Sequence, residues 1–257
     1  VVVIFKQGDD MKNRKRPWTR IITLISIGIF VILVYLFQEY PASVDALKVL
    51  EATDVTIVEN KQGYIIIPEK QDLALGWLIY PGGKVNPQAY LPLAYQISVK
   101  TQQAVVIVSF PFNLAVLNIQ AGKKWMNDYQ DIKQWVVVGH SLGGVMGAEL
   151  AKNDERIGGV AFLAAYPNSD FSQSNLPMIS IRGSQDNILN QKAFLDKRPF
   201  FSSDWESYTI EGANHSQFAS YGFQRGDGIA TISQSKQHEL VVELLVGWSE
   251  QKILYLK

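Results

Sequence analysis

The stretch Gln134-Trp-Val-Val-Val-Gly-His-Ser-Leu-Gly-Gly144 decides the fold: a short β-branched run breaks directly into Gly139-His140-Ser141-Leu142-Gly143. It reads as a strand that turns at once into a helix. Such a turn forces a strained backbone on its central residue, and glycines two positions to either side let strand and helix approach each other. The hydroxyl of Ser141 then projects above the sheet edge at a helix N-terminus, where N–H groups and the helix dipole favour developing negative charge. The strand character ahead of the turn and the amphipathic segment 145–152 behind it are the setting that a Gly-x-Ser-x-Gly nucleophile needs.

Working outward, strand-like segments fall at 54–59, 63–68, 73–80 and 104–110, with a fifth at 134–139 inside the opening stretch. Three more follow at 159–165, 177–182 and 205–210. Helical patterns occupy 87–101 and 114–129, and an amphipathic helix over 234–251 carries Leu240, Val241, Leu244, Leu245 and Trp248 on one face. Eight strands, the last six alternating with crossover segments, predict an α/β fold with a doubly wound, mostly parallel sheet. No internal repeat, low-complexity tract or second-domain linker interrupts it.

Ahead of this domain, 11–20 carries Lys12, Arg14, Lys15, Arg16 and Arg20 with no acid, and 21–37 is apolar apart from Thr23, Ser26 and Gly28. A basic flank followed by an apolar run of this length reads as a membrane segment. The run exceeds the roughly 7–15 residues of a signal-peptide core, which favours an uncleaved signal anchor; a cleaved signal with Val44-Asp45-Ala46 as its site is the alternative. Either way the cationic flank stays in the cytoplasm and the chain beyond about residue 40 is expected outside. The resulting organisation is a cytoplasmic N-terminus (1–20), a transmembrane anchor (21–37), a stalk (38–49) and one domain (50–257). Residues 1–10, with Asp9 and Asp10 ahead of the basic cluster, fit neither membrane reading, and the expectation is that the natural start is Met11.

Composition excludes several classes. Apolar residues make up 47% and charged residues 19%, which describes a globular chain with a large core. Net charge is zero, so there is no basic footprint for nucleic acid. The absence of cysteine removes a disulfide framework, a thiol nucleophile and thiolate metal sites. The three histidines are scattered with no His-x-x-x-His pattern, so no metal and no cofactor are expected.

A serine nucleophile needs a base. His140 adjoins the serine on the turn and is expected to point elsewhere, and His238 is expected on the polar face of the last helix. His215, in the loop Ile210-Glu-Gly-Ala-Asn-His-Ser-Gln-Phe218 just past the eighth strand, is where a doubly wound sheet delivers a side chain to the edge shared with Ser141. The acid that orients it is expected to be Asp186 after the seventh strand, in Ile181-Arg-Gly-Ser-Gln-Asp-Asn-Ile188, with Asp170 after the sixth strand as the rival. The elbow supplies one oxyanion donor, the Leu142 N–H. The loop Tyr80-Pro-Gly-Gly-Lys-Val85 supplies the other, assigned to the Gly83 N–H with Gly82 and Lys84 as neighbouring candidates.

These stretches, together with Tyr221-Gly-Phe-Gln-Arg-Gly-Asp-Gly228, make the chain resemble the α/β-hydrolase superfamily over about 54–254, and more closely the compact bacterial subgroup catalogued as the alpha/beta hydrolase fold-5 family. The resemblance implies a Ser141, Asp186, His215 triad and hydrolysis of an ester or similar acyl bond. One departure is Gln185-Asp186-Asn187, where relatives more often carry a glycine beside the acid. Only 168–176 separates the sixth and seventh strands, so no cap domain is expected. The pocket should be shallow and open, bounded by Phe112, Asn113 and Leu114, the Tyr166 loop, and 216–232, which reads equally as a flap or as an irregular surface loop. The expected partner is a small-molecule or lipid acyl substrate. An acyltransferase with the same triad, and a catalytically silent membrane-tethered binding protein, are the alternatives.

Overall fold

Neighbouring side chains along each central strand are buried on opposite faces of one sheet. In the computed structural model, which describes residues 17–254, Trp77, Ile79, Val136 and Val138 belong to one hydrophobic core, while Leu78, Tyr80, Trp135 and Val137 belong to a second. Strands buried on both faces read as continuous apolar runs, which is why the sequence marks them so clearly.

The elements in chain order are α1 (Pro17–Phe37), α2 (Val44–Leu47), β1 (Val55–Asn60), β2 (Gly63–Pro68), β3 (Asp72–Tyr80), α3 (Leu91–Thr101), β4 (Gln103–Val108), α4 (Gly122–Asp128), β5 (Gln134–His140), α5 (Leu142–Ala151), β6 (Ile157–Leu163), β7 (Met178–Gly183), α6 (Gln191–Lys197), β8 (Trp205–Ile210) and α7 (Gln234–Ser249). All eight expected strands are present in one sheet of order β1-β2-β4-β3-β5-β6-β7-β8. The β1–β2 and β2–β4 pairs are antiparallel and the other five are parallel. Helices α3 and α7 fill one face, and α4, α5 and α6 fill the other. From β3 the chain crosses to β4 on one side, and from β5 it crosses to β6 on the other. The topological switch point, where such sheets place ligands, therefore lies between the carboxyl ends of β3 and β5, at the level where Tyr80 pairs with Gly139.

The expected helix at 114–129 is broken into a 3₁₀ turn at Ala115–Leu117 and the short α4. The Tyr80 hydroxyl causes the break, because it donates to the Ile119 carbonyl (2.9 Å) and accepts from the Gly122 N–H (3.0 Å), taking bonds a continuous helix would make internally. Helix α6 was not expected: it is only 7 residues long, capped by the Asn190 side chain and anchored by Phe194. The connection between β6 and β7 carries no helix, in keeping with a fold without a cap domain.

The chain divides into two units, one ending at Gln38 and one beginning at Glu39. In the first, α1 has 21 residues and a window, Arg20–Phe37, of mean hydropathy 2.5, long and apolar enough to cross a membrane. Residues 1–10 and the basic positions Lys12, Arg14, Lys15 and Arg16 lie outside the described residues. In the second unit, the segment expected as a stalk is built into the domain. The Tyr40 N–H donates to the Lys84 carbonyl (2.7 Å), the Asn86 N–H donates to the Tyr40 carbonyl (3.0 Å), and the Ser43 N–H donates to the Ser220 carbonyl (2.7 Å). The Tyr40 and Tyr221 rings pack 5.3 Å apart and Ala46 is fully buried.

His238 corrects a second expectation: it is buried, not solvated. The 3₁₀ turn at Ser216–Phe218 packs on α7 and covers the face that Lys236 and Glu239 make look polar in sequence. Burial pushes its pKa down to about 4. The unfolded chain then binds this proton more tightly than the native one, so stability is complete above about pH 6.5 and falls as the pH drops toward 4. The loss amounts to roughly 3 kcal/mol. Urea unfolding at pH 7.5 and pH 4.5 should show this loss in the wild type and a clearly smaller one in His238→Leu.

Candidate active site

Ser141 sits at φ 52°, ψ −122°, a conformation that a non-glycine residue holds only when its surroundings enforce it. The enforcement comes from both sides. Its N–H donates to the Leu163 carbonyl (2.9 Å) as a continuation of the β5–β6 ladder, while its carbonyl accepts the first helical bond, from the Gly144 N–H (3.0 Å). Glycine is required around it for closeness of approach. A Cβ on Gly139 would lie 2.3 Å from the Gly144 Cα, and one on Gly143 would lie 2.0 Å from the Tyr80 carbonyl oxygen. A serine opening a helix usually folds its oxygen back as an N-cap, which requires extended φ/ψ. Ser141 lacks that conformation, and its hydroxyl makes no cap bond.

The loop after β3 runs beside this elbow. The Gly82 N–H donates to the Tyr90 hydroxyl (2.8 Å) and the Lys84 N–H donates to the Asn113 carbonyl (2.8 Å). Of the three amides the sequence offered as oxyanion donors, the Gly83 N–H alone has no such bond among the described residues. A Cβ on Gly83 would lie 3.2 Å from the Leu142 side chain and 3.8 Å from that of Leu114, so Gly83 sits against the Leu142 side chain.

On the other side, His215 follows β8 and Asp186 follows β7. Their side chains are almost wholly buried, with His215 Nδ1 2.9 Å from Asp186 Oδ2. A carboxylate only accepts, so Nδ1 carries the proton and Nε2 is left as the basic nitrogen. The other carboxylate oxygen of Asp186 accepts from the Ile188 N–H (2.9 Å) and the Leu189 N–H (2.8 Å), which fixes its orientation. Asp170, the rival acid, is solvent-exposed and accepts from the Ser172 N–H (2.8 Å); it orients a turn.

Two residues near the site, Asp227 and Tyr90, were given no role by sequence, and a third, His140, was expected only to point elsewhere. Asp227, buried in the long loop, accepts from the N–H groups of Ser216 (2.7 Å), His215 (3.4 Å) and Asn187 (3.4 Å), and from the Ser216 hydroxyl. It ties the histidine loop to the aspartate loop. Tyr90 accepts from Gly82 and so donates its own hydrogen to His140 Nδ1 (2.7 Å). His140 is buried, its ring centroid 4.6 Å from that of His215. Burial, and after it the charge of His215, keeps its pKa well below the usual histidine value, so His140 is a neutral neighbour of His215. An aspartate between glycines in an irregular loop, Gly226-Asp227-Gly228, was the one signal available for Asp227.

The hydrogen bonds of the described residues do not include one between the Ser141 hydroxyl and His215. A cavity of about 760 Å³ is lined by Lys152, Asp154, Asp170, Phe171 and Leu176 among others, and none of Ser141, Asp186 and His215 lines it. The inner half of 216–232 is packed, with Phe218 and Ala219 fully buried, and its outer part exposes Phe223 and Ile229.

A family model described as the alpha/beta hydrolase family matches residues 76–239. Similar solved structures include the naproxen esterase (carboxylesterase NP) of Bacillus subtilis, at 14% identity and TM-score 0.54, covering 78% of this chain and 94% of that one. The esterase domain of a Rhodothermus marinus protein matches at 14% identity and TM-score 0.55, covering 77% and 97%. An alpha/beta hydrolase enzyme from the metagenome of Mar Chica lagoon sediments, Morocco, matches at 14% identity and TM-score 0.51, covering 77% and 99%. No curated protein matches the chain.

The elbow packing predicts opposite outcomes for one kind of change at two glycines. Gly143→Ala should cost about 2–4 kcal/mol in denaturant unfolding, because backbone has to move. Gly247→Ala, in α7 with nothing within 4 Å of the new methyl, should be neutral or stabilise by up to about 1 kcal/mol.

Proposed function

This chain belongs to the alpha/beta hydrolase family, and from that footing we propose that it is a serine hydrolase cleaving an ester or related acyl bond, displayed outside the cytoplasmic membrane on its N-terminal helix. The carrying observation is the buried His215–Asp186 pair at 2.9 Å, delivered by β8 and β7 to the same sheet edge as the strained Ser141.

In this reading Ser141 Oγ attacks the acyl carbon while His215 Nε2 removes its proton, and Asp186 stabilises the imidazolium that forms. The carbonyl oxygen becomes an oxyanion held by the Leu142 and Gly83 N–H groups. Collapse breaks the bond to the leaving alcohol, which takes the proton from His215. Water, deprotonated by His215, then attacks the acyl-serine and releases the acid. The Ser141–His215 hydrogen bond would close when substrate excludes water, as catalytic bonds often tighten only in the substrate complex. The esterases among the similar structures support an ester as the bond class.

For the N-terminus, the packing of 39–46 favours an anchor over a cleaved signal. Cleavage after Ala46 would remove Tyr40 and Ser43, whose backbones hold Lys84, Asn86 and Ser220, and would cut at a fully buried residue. The mature chain isolated from the native membrane fraction should retain 21–37 by intact mass; a mass beginning at Leu47 would contradict the anchor.

A fluorophosphonate probe should label the protein, and short p-nitrophenyl esters should turn over. Ser141→Ala should abolish both. Asp186→Asn should lower kcat by about 10²–10⁴, whereas Asp170→Asn should leave it within about twofold of wild type. A folded wild type that neither labels nor turns over ester would end the hydrolase reading.

A further inference from the structure

In sequence, Gln38 alone separates the last residue of α1 from the segment docked on the domain. That segment is attached at the carboxyl edge of the sheet: Glu39 accepts from the Asn113 side chain (2.8 Å), and Tyr40 pairs with Val85, two residues from Gly83. The chain therefore enters the domain at the rim of the site.

The same edge exposes apolar side chains that the cores do not use. Val116 and Leu117, after β4, are half-exposed; Phe223 and Ile229, after β8, are 63% and 80% exposed; Val44, beside the Ser43–Ser220 bond, is 77% exposed. At the opposite edge, the starts of β3, β5 and β6 expose one large apolar side chain, Leu73, among Asp72, Asp131, Lys133, Asn153 and Glu155, whereas the carboxyl edge carries Glu211 among its exposed charges. Single surface apolars mean little. Five at one edge, at the tether, against one among charged and polar groups at the other, give the domain a sidedness.

We infer that the domain rests with its carboxyl edge on the bilayer that α1 crosses, and that its substrate is an acyl ester of a lipid in that same bilayer. This rests on the anchored-hydrolase reading above. One free residue extends at most about 3.5 Å, whereas the headgroup layer on each side of a bilayer is roughly 5–8 Å deep. The tether is too short to lift the site edge clear of the headgroups, and the exposed apolar side chains suit that layer, with Arg225 exposed beside Phe223 to meet lipid phosphate. The reaction is the one already written: the lipid's ester C–O bond breaks as the Ser141 acyl bond forms, the lysolipid hydroxyl leaves with the proton from His215, and water releases the fatty acid.

The chain has no cysteine, so single introduced cysteines can be labelled uniquely. The full chain, reconstituted in phosphatidylcholine and phosphatidylglycerol vesicles, would carry an environment-sensitive fluorophore at Ile229→Cys, Val116→Cys or Lys133→Cys, with headgroup nitroxide lipids as quenchers. Quenching at 116 and 229 should exceed that at 133 by at least about twofold, and equal quenching would overturn the orientation. A fluorogenic diacyl lipid should be hydrolysed at least roughly tenfold faster in vesicles holding the protein than in protein-free vesicles mixed with them. Equal rates would overturn the substrate assignment. Soluble p-nitrophenyl butyrate reports separately on chemistry: sided quenching with no ester turnover supports the orientation and sinks the hydrolase reading alone.

Discussion

A serine does not hold φ 52° and ψ −122° unaided, and the middle of the sheet is what holds Ser141 there. One neighbour is locked into the ladder with β6 and the other begins α5, so the backbone between them has no relaxed alternative. The packing that permits this is tight enough to exclude a methyl group at Gly139, Gly143 or Gly144. The consequence is chemical. A hydroxyl that would otherwise cap the helix it opens makes no cap bond, which suits the nucleophile role proposed for it. Strain of order 1–3 kcal/mol at such a residue is carried by the core of the whole domain.

The second half of the site depends on burial of a different kind. His215 and Asp186 come from the irregular loops after β8 and β7, and such loops hold a 2.9 Å contact only if their backbones are pinned. Asp227 supplies that by accepting from both loops, and the Asn214 N–H and carbonyl are clasped by the Gln237 amide of α7 (3.1 and 2.9 Å). A neutral His140 beside His215 would, in the proposed mechanism, keep a second positive charge away from the imidazolium. The Tyr90 hydroxyl joins His140, at the end of β5, to the Gly82 amide in the loop after β3.

What could be read from the chain followed how local the signal was. The strands were legible because burial on both faces leaves uninterrupted apolar runs such as Trp135–Val138, and Ser141 and His215 because each sits at a strand end with glycines that only a turn explains. Asp186 stood apart from Asp170 by its strand; in the structure Asp186 Oδ2 lies 2.9 Å from His215 Nδ1, while Asp170 accepts from the Ser172 N–H of its own turn. The misreadings are all cases where a distant part of the chain decides. His238 looked solvated among Lys236 and Glu239 because the loop that covers it comes from the far side of β8. The helix expected at 114–129 is interrupted by a hydroxyl from β3, and residues 38–49 looked like a stalk because the partners of Tyr40 and Ser43 are 44 and 177 residues away, at Lys84 and Ser220. Asp227 and Tyr90 act on backbone groups, which leaves no pattern in side-chain type.

Tyr40 docks on Val85 beside Gly83, but the proposed function stands or falls on Ser141 as nucleophile. The direct measurement is to mix the protein with p-nitrophenyl acetate, quench in acid within the first turnover, and determine intact mass and the modified peptide. The account predicts a single acetyl group on the peptide containing Ser141, absent in Ser141→Ala and accumulating when His215 is replaced by alanine only at a rate reduced by orders of magnitude. Acetyl on another residue, or ester turnover with no covalent species and full activity in Ser141→Ala, would contradict it.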